Sequence, residues 1–361
     1  MPLPTRRDLV RLAAASAAAR FVPPVLAQEP RTVGYCVVGL GRIAEHFLAG
    51  SRLSKYTRIA GLVSGHRDKA EKFASKYNVP AGSIYGYENY GAIADNKAID
   101  AVIVCLPNSM HAEYTIRAAR AGKHVLCEKP MCTTVADGEA MVEACRQAAK
   151  KLMIAYRCHY EPLNLHAVRL LREGRLGTIH TIESAFGFNS APGEWRLTRK
   201  LGGGGPLMDM GIYCLNATRY LTGEEPTEVK GSMSVVDAGD PRFQEVEEQV
   251  AWCMKFPSGA VATCQTSYGM QMPGYFHVRG SKGTLHMEPS FNYDGLRLAA
   301  RINGEAPIDE ASQYRDPAQF AMETDHLAEC IMQDKTPKSP GEEGLRDMRL
   351  MMEIYKSCGR A

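Results

Sequence analysis

A glycine-rich turn early in the sequence has the spacing that binds the pyrophosphate of a dinucleotide. Gly39, Gly41 and Ala44 follow the apolar run 33–38 and begin a helical segment. Gly39 permits the tight turn, Gly41 lets the backbone approach the pyrophosphate, and Ala44 lets the helix pack closely on the strand. The first turn of a helix also offers free N–H groups to an anion. In this strand–turn–helix context, the motif predicts a dinucleotide site rather than an ordinary glycine-rich turn.

The end of the second predicted strand indicates which dinucleotide binds. An NAD-binding chain carries Asp or Glu about 20 residues after the fingerprint, where it accepts a hydrogen bond from the ribose 2′-hydroxyl. This chain has Ser64 there, followed by Arg67 and Lys69, which suit a 2′-phosphate. Asp68 is expected in the first helical turn, where its charge suits the dipole. We therefore predict NADP rather than NAD. The alternative is that Arg67 and Lys69 are only solvated charges.

Polar residues follow two further predicted strands. Asn108 and His111 come after the strand 101–106, and Lys129 comes after the strand 124–127. Ligands of open α/β sheets bind beyond the carboxyl ends of the strands, so these side chains are expected in one crevice. A buried lysine is costly unless it is paired or used, because desolvation disfavours its charge. Lys129 is therefore a candidate functional residue, with an exposed lysine of no role as the alternative.

A third candidate group follows four glycines at 202–205. Pro206 suits the first turn of a helix, and glycines allow the backbone to approach a ligand closely. Asp209 and Tyr213 are four residues apart and are expected on one helical face. The alternative is a capping carboxylate beside a half-buried tyrosine.

The elements that position these residues predict an α/β protein with two domains. Strands alternate with helices over residues 28–155, and they are continuous apolar runs, which indicates burial on both faces. This pattern predicts a Rossmann domain, a doubly wound parallel sheet. Its strands are expected at 33–38, 58–63, 101–106, 124–127 and 152–155. Thr134 and Asp137 predict the cap of the last helix of this series.

Residues 156–361 are predicted to form an α+β domain that carries the substrate site and the oligomer contacts. Long alternating stretches and turns indicate a large open, mostly antiparallel sheet. Its alternating stretches are 179–188, 228–236, 246–256, 260–268 and 275–287, and turns at 257–259 and 281–283 are expected to join adjacent antiparallel strands. Two helices end the chain, and Ser339 is the predicted cap of the last one.

The composition excludes several classes of protein. Of the 361 residues, 45% are hydrophobic and 23% are charged, as is usual for a soluble globular protein. The net charge of +3 and the lack of a later basic run argue against nucleic acid as a partner. No apolar segment is long enough to span a membrane. Cys–His metal spacing is absent, so no metal site is predicted.

The first 27 residues have the features of a signal peptide. Arg6 and Arg7 precede an Ala-rich, weakly apolar stretch that ends in a small-residue cleavage site. The adjacent arginines indicate twin-arginine export, and therefore a periplasmic location. The alternative is an Ala-rich helix on the domain. Because this route exports folded proteins, Cys36, Cys105 and Cys127 are expected as buried free thiols rather than as disulfides.

Taken in order, these motifs resemble those of the Gfo/Idh/MocA oxidoreductase family, and within it the glucose–fructose oxidoreductases, which also carry a twin-arginine signal. The matching segments are G-L-G-R-I-A, C-L-P-N-S-x-H, C-E-K-P, A-Y-R-C-H-Y, W-R-L and G-G-G-x-L-M-D-x-G-I-Y. The likeness runs from residue 33 to about residue 354. It implies that Lys129 and Tyr213 are the catalytic pair, with Asp209 beside them.

With the residues argued above, the predicted cofactor site is formed by residues from seven segments. They are Gly39, Leu40, Gly41, Arg42, Ile43, Ser64, Gly65, Arg67, Lys69, Tyr87, Leu106, Pro107, Asn108, His111, Glu128, Lys129, Arg157, Trp195 and Arg196.

The resemblance implies oxidation of an aldose at C1 to a lactone. Tyr213 would take the hydroxyl proton, and the Lys129 ammonium would favour the phenolate and bind the alkoxide. Asp209 would either orient the sugar or hold Lys129. Reduction of a second sugar would reverse these steps. Monosaccharides are thus the expected substrates, and a homo-oligomer, a dimer through the C-terminal sheet, is the expected assembly.

Three functions remain open from the sequence. The first is a sugar oxidoreductase that retains NADP, and the second is an ordinary NADP-dependent aldose dehydrogenase. The third is a non-catalytic sugar-binding protein, which the intact Lys129, Asp209 and Tyr213 disfavour. Export favours the first, since free NADP is scarce outside the cytoplasm. The resemblance also implies an extended arm that covers the cofactor, but only residues 28–32 separate the expected cleavage site from the first strand. No such arm is therefore expected.

Overall fold

The computed structural model describes residues 31–360, so the predicted signal peptide lies outside the described residues. The N-terminal part forms a six-stranded sheet in which every pair of neighbours is parallel. Its strands are β1 (Val33–Val38), β2 (Thr57–Val63), β3 (Ile84–Tyr85), β4 (Ala101–Val104), β5 (His124–Glu128) and β6 (Leu152–Ala155). Every residue of β1 and β4 is buried, as their continuous apolar runs predict. The predicted Rossmann sheet is confirmed, with the short β3 as an addition.

In the strand order β3-β2-β1-β4-β5-β6, the chain first adds strands on one side of β1 and then on the other side. The order in which strands are added therefore reverses between β1 and β4. A crevice opens beyond the carboxyl ends of the strands at such a point. The helices of this part are α1 (Arg42–Gly50), α2 (Arg67–Tyr77), α3 (His111–Arg120) and α4 (Val135–Gln147). Thr134 caps α4 as predicted, because its side chain accepts a hydrogen bond from the Asp137 N–H at 3.1 Å.

A second sheet of eight strands follows, in the order β14-β13-β12-β11-β7-β10-β9-β8. Its strands are β7 (Ile179–Gly187), β8 (Glu228–Ser234), β9 (Gln249–Lys255), β10 (Val261–Ser267), β11 (Met272–Gly280), β12 (Gly283–Met287), β13 (Arg297–Ile302) and β14 (Ile308–Ala311). Only the β7–β10 pair is parallel, so the prediction of a mostly antiparallel sheet is confirmed.

The predicted turn at 281–283 is confirmed, because it divides the stretch 275–287 into β11 and β12, which pair in antiparallel orientation. Strands β13 and β14 were not predicted. They are stabilised by pairing at the edge of the sheet, and β14 has only four residues, too few for a clear alternating pattern.

Helices connect the two sheets and complete the first one. They are α5 (Pro162–Arg172), α6 (Arg199–Gly202), α7 (Ile212–Thr222), α8 (Ala318–Met332) and α9 (Gly341–Ser357). Helix α8 returns to the first sheet, where Phe320 and Leu327 share a hydrophobic core with Tyr35 of β1. The last part of the chain therefore stabilises the dinucleotide-binding part.

The predicted Ser339 cap of α9 is wrong. The Ser339 hydroxyl is fully buried, and it donates to the Ile154 carbonyl at 2.7 Å and bonds the Tyr160 hydroxyl at 2.8 Å. Pro340 precedes the helix, and α9 has no side-chain cap. Tertiary contacts outweigh the local preference here, because an unpaired buried hydroxyl is costly. Cys36, Cys105 and Cys127 are buried free thiols, as expected from their apolar strands.

Candidate active site

A cleft of about 840 Å³ lies beyond the carboxyl ends of the parallel strands, between them and residues that follow β6. It gathers all of the predicted catalytic and cofactor residues except Arg67. Those that line it are Gly39, Leu40, Gly41, Arg42, Ile43, Ser64, Gly65, Lys69, Tyr87, Leu106, Pro107, Asn108, His111, Glu128, Lys129, Arg157, Trp195, Arg196, Asp209 and Tyr213.

Arg67 is not part of this lining. Its guanidinium forms an ion pair with Glu71 at 2.8 Å and donates to the Ile84 carbonyl at 3.1 Å. Arg67 is the first residue of α2, and Glu71 lies one turn later, so the helix itself draws the side chain along its surface. Among the described residues, the structure thus gives no support to the predicted contact of Arg67 with a 2′-phosphate.

The dinucleotide end of the cleft fits NADP. Gly41 precedes α1, whose first turn has no side-chain cap, and a Cβ at this glycine would meet no atom within 4 Å. The free N–H groups of this turn therefore face open space that can hold a pyrophosphate. At the end of β2, Ser64 and Lys69 line the cleft, whereas no carboxylate from this strand end does. A cation and a hydroxyl without a carboxylate suit the 2′-phosphate of NADP.

The Lys129–Asp209 ion pair lies at the other end of the cleft. The Lys129 ammonium donates to the Asp209 carboxylate at 2.9 Å and to the Asp209 main-chain carbonyl at 2.9 Å. Both side chains are mostly buried. Burial disfavours both charges, but each charge stabilises the other. The pKa of Lys129 is therefore raised and that of Asp209 is lowered.

Two further donors occupy the other carboxylate oxygen of Asp209. The buried hydroxyl of Tyr268 donates to it at 2.7 Å, and the Arg196 guanidinium also binds it. With Lys129 on the first oxygen, the carboxylate has three strong donors. Of the two roles that the sequence left open, this geometry favours holding Lys129 over orienting a sugar.

Tyr213 lies where a π-helical turn, Leu207–Gly211, runs into α7. Such turns occur frequently at functional sites, and this one places Asp209 and Tyr213 in the same cleft. The Tyr213 ring packs edge-on against Phe186, with centroids 5.4 Å apart. The Lys129 ammonium lies 4.8 Å from the ring centroid, so a cation faces the phenol.

Glu128 forms part of the cleft floor. It is the last residue of β5, and its carboxyl accepts from the Lys129 N–H at 3.1 Å. Burial raises the pKa of Glu128 to about 7, against the opposing effect of the Lys129 charge. Beneath it, burial and the neighbouring Glu128 raise the pKa of Glu323 well above its ordinary value.

Asn108 and His111 are committed to the scaffold of the cleft. Asn108 donates to the Gly202 carbonyl at 2.9 Å. The two ring nitrogens of His111 contact the carbonyls of Leu106 and Pro130, both at 2.8 Å. His111 therefore ties together the segments that follow β4 and β5, rather than presenting a free nitrogen.

Several lining residues were not predicted from the sequence. They are His46, His66, Cys105, Phe186, Phe188, Met210, Phe291, Asn292 and Tyr293. The alternation of Phe186 and Phe188 at the end of β7 was an available signal, because it places both rings on one face. The irregular segment that carries Phe291, Asn292 and Tyr293 has no such pattern. The same holds for Tyr268, which follows β10 and reaches Asp209 only in the folded chain.

Two kinds of feature are absent from the described residues. No group of three or more His, Cys, Asp or Glu side chains within 31–360 is arranged to hold a metal ion. No helix in the same range has the length and apolar character needed to cross a membrane.

Two family models match this chain. The model described as an oxidoreductase family with an NAD-binding Rossmann fold matches residues 33–156. The model of the GFO/IDH/MocA C-terminal domain matches residues 164–286. The chain belongs to the Gfo/Idh/MocA oxidoreductase family, as its motifs predicted.

Two individual proteins are similar to this chain over most of its length. D-xylose 1-dehydrogenase [NADP(+)] of Haloarcula marismortui is 33% identical over 302 residues, which are 82% of this chain and 82% of the relative. The crystal structure of aldose-aldose oxidoreductase from Caulobacter crescentus, complexed with glycerol, is 42% identical. It superposes with a TM-score of 0.88, and the match covers 91% of this chain and 98% of that one. The NADP dependence in the first relative's name agrees with the predicted cofactor.

Proposed function

We propose that this chain is an NADP-dependent sugar oxidoreductase that keeps its cofactor, oxidises an aldose at C1 to a lactone and reduces a second sugar. The carrying observation is the Lys129–Asp209 ion pair beside Tyr213, at the end of a cleft that fits NADP. The 42% identity to a structure of an aldose-aldose oxidoreductase supports the same reaction class.

The residues divide the chemistry between them. NADP, held by the residues of the cleft, would supply the hydride acceptor for C1 and, in its reduced form, the hydride donor for the second sugar. Tyr213 takes the proton of the C1 hydroxyl and gives it back in the reductive half. Lys129 remains charged, because Asp209 raises its pKa, and its ammonium stabilises the alkoxide that develops at the same oxygen. Lys129 therefore acts electrostatically, and Tyr213 carries the proton.

The aromatic side chains at the substrate end of the cleft are suited to binding a sugar ring. Phe186 and Phe291 pack against Tyr213 in the lining of the cleft, and Phe188 lines the same cleft. Apolar faces of this kind exclude water and pack against the C–H face of a pyranose. Asn292 and Arg196 add the polar groups that a sugar hydroxyl requires.

Retention of NADP has to come from the body of the fold. The expected contacts are the Gly39–Gly41 turn on the pyrophosphate, Ser64 and Lys69 on the 2′-phosphate, and Trp195 at the nicotinamide end. Retention over hours requires a dissociation rate of about 10⁻⁴ s⁻¹. With an association rate near 10⁶ M⁻¹s⁻¹, a Kd of about a nanomolar or lower follows.

The test is to purify the protein, dialyse it for a prolonged period and record its absorbance spectrum. We expect NADP(H) to remain bound, its reduced form to appear with an aldose, and two sugars to be interconverted without added cofactor. A relative named D-xylose 1-dehydrogenase [NADP(+)] favours the second candidate, an ordinary dehydrogenase. Protein that is empty after dialysis and works only with supplied NADP would establish that function instead.

Export and assembly are part of the same proposal. Arg6 and Arg7 are proposed to direct the folded protein to the periplasm, and replacing both with Lys should leave it in the cytoplasmic fraction.

A homodimer is proposed to form through the second sheet, where β9 exposes Ala251, Cys253 and Lys255 on one face. Sedimentation equilibrium would report the mass of a monomer if this proposal is wrong.

A further inference from the structure

Arg157 is a buried cation whose hydrogen bonds within the described residues all go to neutral acceptors. Its side chain is 4% exposed. It donates to the Gln319 amide oxygen at 2.7 Å, to the Asn292 carbonyl at 3.2 Å and to the Phe291 carbonyl. No carboxylate within residues 31–360 forms an ion pair with it. Buried charges in proteins are usually paired, because an isolated charge in a low dielectric is costly.

The nearest carboxyl groups do not compensate this charge. Glu128 and Glu323 both act on Arg157 at a distance, but burial raises the pKa of each, to about 7 for Glu128 and well above its ordinary value for Glu323. Glu323 is fully buried, and neither of its carboxyl oxygens has a hydrogen-bond partner in the structure. Burial without a hydrogen-bond partner disfavours the charged form of Glu323, which makes it a poor counter-ion for Arg157.

The group that Arg157 does face is a phenol. Its guanidinium carbon lies 5.0 Å from the Tyr213 ring centroid, and Tyr293 covers the other side at 4.5 Å. The Arg157 Nε is buried and has no hydrogen-bond partner among residues 31–360. Burial disfavours the Arg157 charge, but Tyr213, Cys158 and Tyr293 together offset this effect, and the pKa of the guanidinium lies above its ordinary value.

We propose that Arg157 is a positioning residue for proton transfer, whose otherwise uncompensated charge serves as a second counter-ion, with Lys129, for the phenolate of Tyr213. This inference rests on the proposed function only in taking Tyr213 as the proton carrier. It assigns Arg157 a role in proton transfer, which is separate from the cofactor contact that the sequence predicted for this residue.

The charged groups around Tyr213 support this role of Arg157. Lys129 at the end of β5, Arg157 after β6 and Tyr293 before β13 act directly on Tyr213. The titratable groups that act on these two cations are Glu128 at the end of β5, Cys158 after β6, Asp209 in the π-helical turn and Glu323 in α8. Asp209 neutralises one cation, and Arg196 shares that carboxylate. Loss of a full charge about 5 Å away should shift the ionisation of the phenol by about one to two pH units.

The experiment is a tyrosinate titration by difference absorbance on purified protein, with no sugar present. Subtracting the Tyr213→Phe titration from that of the wild type isolates the signal of Tyr213. Arg157→Met should move this signal to higher pH by about one to two units. Arg157→Lys, which keeps the charge, should move it less. Arg297→Met is the matched control, since Arg297 is exposed and pairs with Asp309 on the second sheet.

Two further readouts separate this role from others. In Arg157→Met, the acidic limb of the pH profile of kcat for hydride transfer should shift to higher pH together with the tyrosinate signal. The Kd for NADP should remain near the wild-type value. A weaker Kd for NADP with an unmoved tyrosinate signal would overturn the proposal and leave Arg157 as a cofactor ligand. If Arg157→Met does not fold, Arg157→Gln takes its place, and a tyrosinate signal at the same pH as in the Arg297→Met control would overturn the proposal. Full activity of Tyr213→Phe would instead contradict the proposed function, whatever Arg157 does.

Discussion

Lys129 donates to both the side chain and the main chain of Asp209, with each hydrogen bond 2.9 Å long. A lysine held at two acceptors of one residue has a fixed ammonium position, which a flexible side chain on the surface lacks. The π-helical turn that carries Asp209 also carries the start of the helix of Tyr213. One local structure therefore positions both Lys129, the proposed electrostatic group, and Tyr213, the proposed proton carrier.

Tyr213→Phe removes the hydroxyl group and very little volume. A positioned acid–base group contributes about 10²–10⁴-fold, so turnover should fall by that range while NADP(H) remains bound. Steady-state kinetics and the absorbance spectrum of the purified variant measure both quantities. Unchanged turnover would leave Tyr213 as a packing residue only.

Asp209→Asn should make Lys129 sensitive to alkaline pH. In the wild type, the carboxylate offsets burial and raises the pKa of Lys129. Without it, burial lowers that pKa, and the ammonium is lost as the pH rises. The alkaline limb of the kcat profile should therefore move to lower pH. Tyr268→Phe, which removes a donor to the same carboxylate but keeps its charge, is the matched control.

Ser64→Asp should shift the preference from NADP towards NAD. Ser64 lines the cleft at the end of β2, and a carboxylate there would repel the 2′-phosphate and accept from a ribose hydroxyl. Fluorescence titration with both nucleotides gives the ratio of the two Kd values. Arg67→Ala should change this ratio little, because Arg67 pairs with Glu71 outside the cleft lining. An unaltered NADP affinity in Ser64→Asp would refute this placement of the 2′-phosphate.

Glu128 should make the stability of nucleotide-free protein fall as the pH rises. Its pKa is about 7 in the folded chain and about 4.5 in an ordinary environment, so between these values the folded state binds more protons than the unfolded state. Stability from this group is present below about pH 4.5 and is lost as the pH rises through 7, by roughly 3 kcal/mol. Urea unfolding at pH 5 and pH 8 should show a smaller decline for Glu128→Gln. Equal declines in the two proteins would contradict the raised pKa.

The Arg42–Glu194 pair joins the start of α1 to the segment before Trp195 across the cleft, at 2.6 Å. Arg42 is 74% exposed, and exposed pairs contribute about 0–1 kcal/mol. Glu194→Gln should therefore speed NADP release by no more than about fivefold. Stopped-flow displacement of bound NADPH measures this rate. A much larger acceleration would mean that this pair, rather than the buried contacts, retains the cofactor.

Local patterns in the sequence were sufficient to predict the first sheet and most of the site. Continuous apolar runs specify buried parallel strands, and the ends of those strands are brought together by topology alone. For this reason Gly41, Ser64, Asn108 and Lys129 could be placed in one cleft before any contact was known. The spacing of Asp209 and Tyr213 likewise placed both on one side of a helical turn.

Only the tertiary structure decided which partners these residues have. Tyr268 reaches Asp209, and Gln319 reaches Arg157, across 59 and 162 residues of sequence. Arg67 and Ser339 have favourable local signals but form other contacts, since Glu71 is one turn away and Ser339 is buried against Tyr160. Local sequence determines which backbone conformation is preferred, whereas burial and long-range hydrogen bonds determine charge compensation. The uncompensated charge of Arg157 follows from packing and has no signature in the sequence around it.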